Sequence, residues 1–240
     1  MIYKKIFLDT ETTGNEAKDY LCQLAFKQDE YTYSELFKPP VPISIESSAV
    51  CHITNKMVEH CVPFQEAPDY LNIKKRLEDV DAVIIAHNAQ FDLGMLAKES
   101  IVPQQHICTM RVARALDTEG VIPKYNLQYL RYYLGIEVEA TAHDALGDVL
   151  VLEKLFERLY AKVKEKIQSD SDDMILDEMI RISSEPSLIK TIGFGKHAGK
   201  KLEEVARIDP GYLEWLLAQK VQSDTNEEDW IYTLKYYLKK

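Results

Sequence analysis

The pattern of apolar and polar positions divides the chain before any chemistry is considered. Residues 3–9, Tyr-Lys-Lys-Ile-Phe-Leu-Asp, predict a strand that ends in an acid at Asp9. Two further strands are predicted over 21–27 and 31–37, rich in Leu, Phe and Tyr, with a turn at Gln28-Asp29-Glu30. Pro39, Pro40 and Pro42 then break the pattern. Short helices follow, one starting at Thr54 and one near 66–78. Ala82-Val83-Ile84-Ile85-Ala86 is an unbroken apolar run, the mark of a strand buried on both faces. Gln90 to Glu99 reads as helix. Ile107 to Thr109 ends another short strand, with a helix to about Asp117, and a helix near 126–134 stops at Gly135. Residues 144–165 predict a long helix carrying Leu150, Leu152, Leu155, Phe156 and Leu159. Three early strands followed by alternating strands and helices imply an α/β domain with a mixed central sheet.

After residue 165 the character changes. Residues 166–187 are acidic, like a linker, but Met174, Ile175, Met179, Ile180 and Ile182 recur near helical spacing. A short amphipathic helix over about 172–182 is therefore predicted, with Ser171, Asp172 or Asp173 at its start. Residues 188–240 then form a small unit, for which Trp215, Leu216, Leu217, Trp230, Tyr232, Leu234 and Leu238 are the expected core. The predicted organisation is thus 1–165, a connector at 166–187, and 188–240.

Composition adds limits. The 240 residues are 46% hydrophobic and 28% charged, which excludes collagen-like and largely disordered chains. No apolar run approaches the ~18 residues that span a bilayer, and the first acid comes too early for a signal peptide. Cys22, Cys51, Cys61 and Cys108 form no C-x-x-C pair and read as reduced thiols of a cytoplasmic protein. The net charge of −10 argues at first against a nucleic-acid protein.

Three short motifs change that view. In Leu8-Asp9-Thr10-Glu11-Thr12-Thr13-Gly14, a spacing of two puts Asp9 and Glu11 on one face of a strand end. Two carboxylates held together repel unless a divalent cation lies between them. In His87-Asn88-Ala89-Gln90-Phe91-Asp92, Asp92 falls in the first turn of a helix that follows a buried strand. A helix-capping acid and an active-site acid both belong there. In His143-Asp144-Ala145-Leu146-Gly147-Asp148, Asp148 lies about one turn into the long helix and His143 stands just before it. Together these give four carboxylates at the edges of regular elements, with one histidine. Oxygen-only ligands suit Mg²⁺ or Mn²⁺ and not zinc. Two such ions can clamp both oxygens of an in-line phosphoryl displacement, and a histidine can take a proton from water.

In order and spacing these motifs resemble those of the DEDDh 3′→5′ exonucleases. Ala49-Val50-Cys51-His52-Ile53-Thr54 is similar to a further region of that family, near the terminal nucleotide. The resemblance spans 1–165. Ile107–Arg114, with the tail segments Phe194–Lys200 and Asp209–Leu216, resembles the exodeoxyribonuclease X branch of the family. The resemblance implies a ribonuclease H-like α/β domain with a small C-terminal accessory domain. It implies Asp9, Glu11, Asp92 and Asp148 as ligands of two Mg²⁺ ions, for which Mn²⁺ substitutes, and His143 as general base. Glu11 would hold a metal or the terminal 3′-OH. The implied reaction releases 5′-mononucleotides from DNA 3′ ends, single-stranded or duplex, with a place in DNA repair.

The implied grip residues are Thr10, Thr12, His52, Ile53, Asn88 and Phe91. Phe91 is placed to stack on a terminal base or else to pack in the core. Phe194-Gly195-Lys196-His197-Ala198-Gly199-Lys200-Lys201 is no nucleotide-binding phosphate loop, since Phe194 and Lys201 stand where Gly and Ser or Thr belong. Its glycines, Lys196 and Lys200 suit phosphate contacts, or a plain turn with exposed lysines. An RNA exonuclease, a polymerase proofreading subunit and an inactive binding module remain as alternatives. The charge objection weakens: four acids are assigned to metals, and residues 188–240 hold 9 basic against 8 acidic residues. An acidic total now predicts a weak, salt-sensitive grip on the polymer.

Overall fold

The computed structural model describes residues 3–138, 145–223 and 225–239. His143, the expected general base, lies outside the described residues, as does Asp144. Among the described residues, five strands form one sheet: β1 (Lys4–Thr12), β2 (Leu21–Gln28), β3 (Tyr31–Leu36), β4 (Ala82–Ala86) and β5 (Gln105–Cys108). Their order is β3-β2-β1-β4-β5. β1 pairs antiparallel with β2 and parallel with β4, so the sheet is mixed, as expected. β1 runs three residues beyond the predicted end because β2 stays alongside it: Glu11 pairs with Gln23 before the register shifts.

Side chains of a strand alternate between faces, and β1 shows why that matters. Ile6 and Leu8 enter a core with Leu24, Phe26, Ile73, Leu77 and Leu96. Beyond α1 (Ile45–Cys51) and α2 (Asn55–Val58), this face is covered by α3 (Tyr70–Leu77) and α4 (Ala89–Lys98), which carry the last three of those residues. Phe7 points the other way, into a core with Val149, Leu152, Phe156 and Leu159. Those residues belong to the long helix that was expected over 144–165. After three helices, α5 (Thr109–Leu116), α6 (Leu127–Tyr133) and this α7 (Ala145–Ile167), the chain has covered the second face. Phe7 and Phe156 meet edge to face at 5.4 Å.

The acidic segment is the helix its periodicity predicts, α8 (Asp172–Ser184), capped by the Ser171 side chain on the Met174 N–H. Ile175, Leu176, Met179 and Ile182 are buried in the same core as α7, so this segment packs as part of the large domain. One helix between β3 and α3 was not expected: Ile45–Cys51, whose Ile45 and Val50 are exposed and give no amphipathic stripe.

The C-terminal unit has its own core of Ile189, Ile192, Leu202, Val205, Leu213, Leu216 and Leu234. Ile189 and Ile192 come from the segment that enters it, and the rest from the helices Leu202–Ile208, Pro210–Val221 and Glu228–Leu238. The expected core is corrected at two positions. Trp215 is 55% exposed and Tyr232 42%, because both lie on the solvent sides of their helices. Trp230, Leu217 and Leu238 pack at the edge of the core.

This unit is clamped to the large domain by ion pairs. Arg111, 2% exposed, reaches Glu228 at 2.6 Å and Asp229 at 2.9 Å. Arg114 reaches Asp229 at 2.6 Å. Asp229 also accepts from the Ser187 N–H and hydroxyl, each at 2.9 Å. The buried Arg111 guanidinium holds geometry because parting it from its carboxylates leaves a charge unpaired.

Candidate active site

The end of β1 gathers the predicted acids, and the alternation of the strand sorts them. Asp9 and Glu11 continue the side of Phe7, the face that α7 covers. Asp148, in the first turn of α7, meets them there. Carboxylate oxygens of Asp9, Glu11 and Asp148 all lie within 4.8 Å of one another. Asp148 is buried, while Asp9 and Glu11 are partly open. Three carboxylates at this spacing, with oxygen the only donor atom, fit a hard divalent cation.

Asp92 reaches the same strand end from the other face. Thr10 follows Leu8 on that side, and Asp92 comes from the first turn of α4. Its Oδ1 accepts from the Thr10 N–H at 3.1 Å and from the Thr10 hydroxyl at 2.8 Å. Asp92 is 3% exposed, and burial pushes its carboxyl up to about 7 against the pull of those hydrogen bonds. So the structure brings together three of the four predicted acids directly. The fourth stands behind them, tied to the residue between Asp9 and Glu11.

The turn after β1 is built tightly. The Thr12 hydroxyl donates to the Gly14 carbonyl at 2.5 Å, and the Thr13 hydroxyl donates to Asp19 at 2.9 Å. A Cβ on Gly14 would overlap the Asp19 carboxylate and displace it from the Thr13 hydroxyl and the Glu16 N–H that it accepts from. The Ser47 hydroxyl donates to the Thr12 carbonyl at 2.5 Å, fastening the unexpected Ile45–Cys51 helix to the site. Thr10 and Thr12 are thus both buried and spent on internal bonds.

The remaining predicted residues fall in different places. His52 caps that helix in the left-handed region, φ 59°, and is exposed near the strand end. Ile53 is corrected: it is 4% exposed among Cys22, Ile43, Cys51 and Val58, so it supports the helix and does not face the solvent. Asn88 is exposed with φ 65°, at the turn from β4 into α4, and Phe91 is half-buried beside it. His87 is a satisfied internal histidine. Its Nε2 donates to the Tyr125 carbonyl at 2.6 Å, and Nδ1 lies 2.9 Å from the Thr109 hydroxyl. Burial pulls its imidazole down to about 4. Lys196 folds back onto Asp209 at 2.6 Å and over the Tyr212 ring, whereas Lys200 is exposed. All four cysteines are free thiols.

One residue at the site has no sequence signal. Gln128 on α6 donates from Nε2 to Asp148 Oδ1 at 2.5 Å. It orients the carboxylate that α7 brings in, as outer partners of metal ligands commonly do.

Comparison with known proteins agrees with this geometry. The exonuclease family model matches residues 6–156, and the exodeoxyribonuclease X-like C-terminal model matches 192–221. Exodeoxyribonuclease 10 of Escherichia coli (strain K12) is 30% identical over 215 residues, covering 85% of this chain and 84% of its own length. Exonuclease X in complex with 5′ overhanging duplex DNA superposes with a TM-score of 0.56 at 23% identity, covering 75% of this chain and 99% of that one. The nuclease domain of 3′hExo, a DEDDh family member bound to rAMP, superposes with a TM-score of 0.53 at 14% identity, covering 65% of this chain and 91% of that one. With the family model matching most of the large domain and the relative aligned along most of its length, the chain belongs to the exonuclease family, in its exodeoxyribonuclease X branch.

Proposed function

We propose that this chain is a divalent-metal-dependent exonuclease that removes 5′-mononucleotides from the 3′ ends of DNA, in the service of DNA repair. The observation that carries the reading is the trio Asp9, Glu11 and Asp148 at one strand end. The relatives named exodeoxyribonuclease, and the Exonuclease X complex with duplex DNA, support DNA as the polymer. The 3′→5′ direction follows from the resemblance of the motifs to the DEDDh exonucleases.

Asp9, Glu11 and Asp148 would hold the cations, with Asp92 joining them in its ionised form. Two Mg²⁺ ions bound there, or Mn²⁺ in their place, would supply the charge that polarises the scissile phosphate and stabilises the leaving oxygen. The residues of the chain do the rest. Gln128 fixes the Asp148 carboxylate, and Thr10 fixes that of Asp92. His143, two residues before α7, takes the proton of the attacking water at its imidazole. His52 and Phe91 bear on the last nucleotides, and the exposed Lys200 bears on the phosphate backbone.

The test is digestion of 3′-labelled single-stranded DNA with Mg²⁺, repeated with EDTA and with a matched RNA strand. Mononucleotide release that EDTA abolishes is the expected result. His143→Ala should slow turnover by about 10²–10⁴-fold, the usual worth of a general base, with Mn²⁺ affinity kept. Near-normal turnover in that variant would remove His143 from the mechanism, and faster digestion of RNA would change the substrate.

A further inference from the structure

A cavity of about 310 Å³ lies where the large domain meets the C-terminal unit. One wall holds Asn15 from the turn after β1, and Asn88, Gln90 and Phe91 from the start of α4. The facing wall holds Asn226 and Trp230 from the C-terminal unit. Phe91 immediately precedes Asp92 and Asn15 lies four residues after Glu11, so the segments that carry the acids also line the cavity. Its volume is at the lower end of the ~300–1,000 Å³ range of small-ligand pockets.

The chemistry of the lining is distinctive. Arg111 and Arg114 reach it, but their guanidinium groups are engaged by Glu228 and Asp229. Glu227 is engaged by Lys220 at 2.6 Å. The charges of these residues are thus spent on one another. Beyond these, the lining holds four carboxamides (Asn15, Asn88, Gln90 and Asn226), the rings of Phe91 and Trp230, and the uncharged Met110, Ile189 and Thr225. A carboxamide offers a donor and an acceptor side by side, which matches the edge of a nucleobase, and an aromatic ring matches its face. A phosphate would require uncommitted cations or a nest of N–H groups.

The clamp between the two parts sets this wall. Trp230 directly follows Asp229, the residue that Arg111, Arg114 and Ser187 all hold. The Trp230 ring is further supported by Phe194, edge to face at 5.4 Å, and by Lys220 at 5.8 Å from its centroid. The clamp thus fixes the position of this wall against the large domain. We propose that the cavity is a nucleobase subsite, built jointly by the large domain and the C-terminal unit, that holds one base of the strand being degraded. The proposal rests on the exonuclease reading above. It gives the C-terminal unit a direct part in substrate binding.

The two tryptophans allow a direct test. Trp215 is exposed on its helix outside the cavity, so Trp215→Phe leaves Trp230 as the only indole. In this variant, with EDTA present, a thymidine oligonucleotide should quench Trp230 emission saturably, and an oligonucleotide abasic throughout should not. With Mg²⁺, Trp230→Ala should raise KM for DNA about tenfold, the size expected for one lost stack, with kcat within about twofold. Trp230→Phe should restore most of the affinity. Should Trp230→Ala fail to fold, Asn226→Ala on the exposed loop should raise KM about threefold, as for one lost hydrogen bond. If Trp215→Phe degrades DNA yet shows no base-dependent quench and KM is unmoved by either cavity variant, the subsite is refuted and the exonuclease reading stands. If Trp215→Phe and the unaltered chain both release no nucleotides, the underlying reading fails and the subsite with it.

Discussion

Asp148 and Asp92 look interchangeable along the chain: each is an acid in the first turn of a helix that follows a strand or loop near a histidine. In the fold they arrive at the end of β1 from opposite faces of the sheet. Asp148 joins Asp9 and Glu11 on the α7 side, where Asp9 and Glu11 are partly open and negative charge accumulates. Asp92 is enclosed on the α4 side, held by Thr10 and pushed toward its neutral form. The difference follows from the two-residue period of β1 alone. Odd positions face one helix layer and even positions the other. An acid's surroundings, and not its motif, decide whether it offers charge readily or only when a cation draws it out.

The largest expected effect lies on the open face. Asp148→Asn removes one charge of the trio and should cut nucleotide release by about 10³-fold, equivalent to some 4 kcal/mol of charge stabilisation. A loss below tenfold in a steady-state assay would mean that the trio is not the catalytic centre.

A smaller effect comes one step further out. Gln128→Ala leaves all acids in place but removes a hydrogen bond that orients the Asp148 carboxylate. Metal affinity should fall by about 10–100-fold, the usual loss for an outer partner, with activity recovering at high Mg²⁺. Activity that stays low at saturating Mg²⁺ would give Gln128 a different role.

The smallest effects are on stability, and they separate the buried groups by sign. Asp92 is raised from 3.8 to about 7, so between those values the folded chain keeps a proton that the unfolded chain has released. Its contribution is present at low pH and is lost as pH rises through that window. His87 is lowered from 6.5 to about 4, so there the unfolded chain binds the extra proton. Stability from His87 is therefore lost as pH falls through the same region, by on the order of 3 kcal/mol. In the unaltered chain the two slopes oppose each other. In EDTA, urea midpoints for Asp92→Asn should rise from pH 5 to pH 7, and those for His87→Gln should fall. Equal slopes in both variants would contradict the assignment of either group as buried.

The legible part of this molecule is the part set by short-range pattern. The period of β1 gave the face shared by Asp9 and Glu11. The apolar run 82–86 gave β4 to the residue, and the spacing of Ile175, Met179 and Ile182 gave α8 despite its acidic surroundings. The illegible part depends on distant packing. The helix Ile45–Cys51 is held by Ser47 on Thr12 and by its cap, and its exposed Ile45 and Val50 hide it from any periodicity. Ile53 resembles a substrate wedge until the small core around Cys22 encloses it. Trp215 reads as core by composition, yet the helix turns it to solvent. Gln128 meets Asp148 across 20 positions, and Arg114 meets Asp229 across 115. No local signal marks either pair.

The central claim is that Asp9, Glu11 and Asp148 form the cation site on the α7 face of β1. Calorimetric titration of the metal-free chain with Mn²⁺ at pH 7.5 tests it without any substrate. Saturable binding is expected, and Asp9→Asn and Asp148→Asn should each weaken it by more than the ~10–100-fold expected of an outer partner such as Gln128. Unchanged Mn²⁺ affinity in Asp148→Asn, with the variant folded, would contradict it.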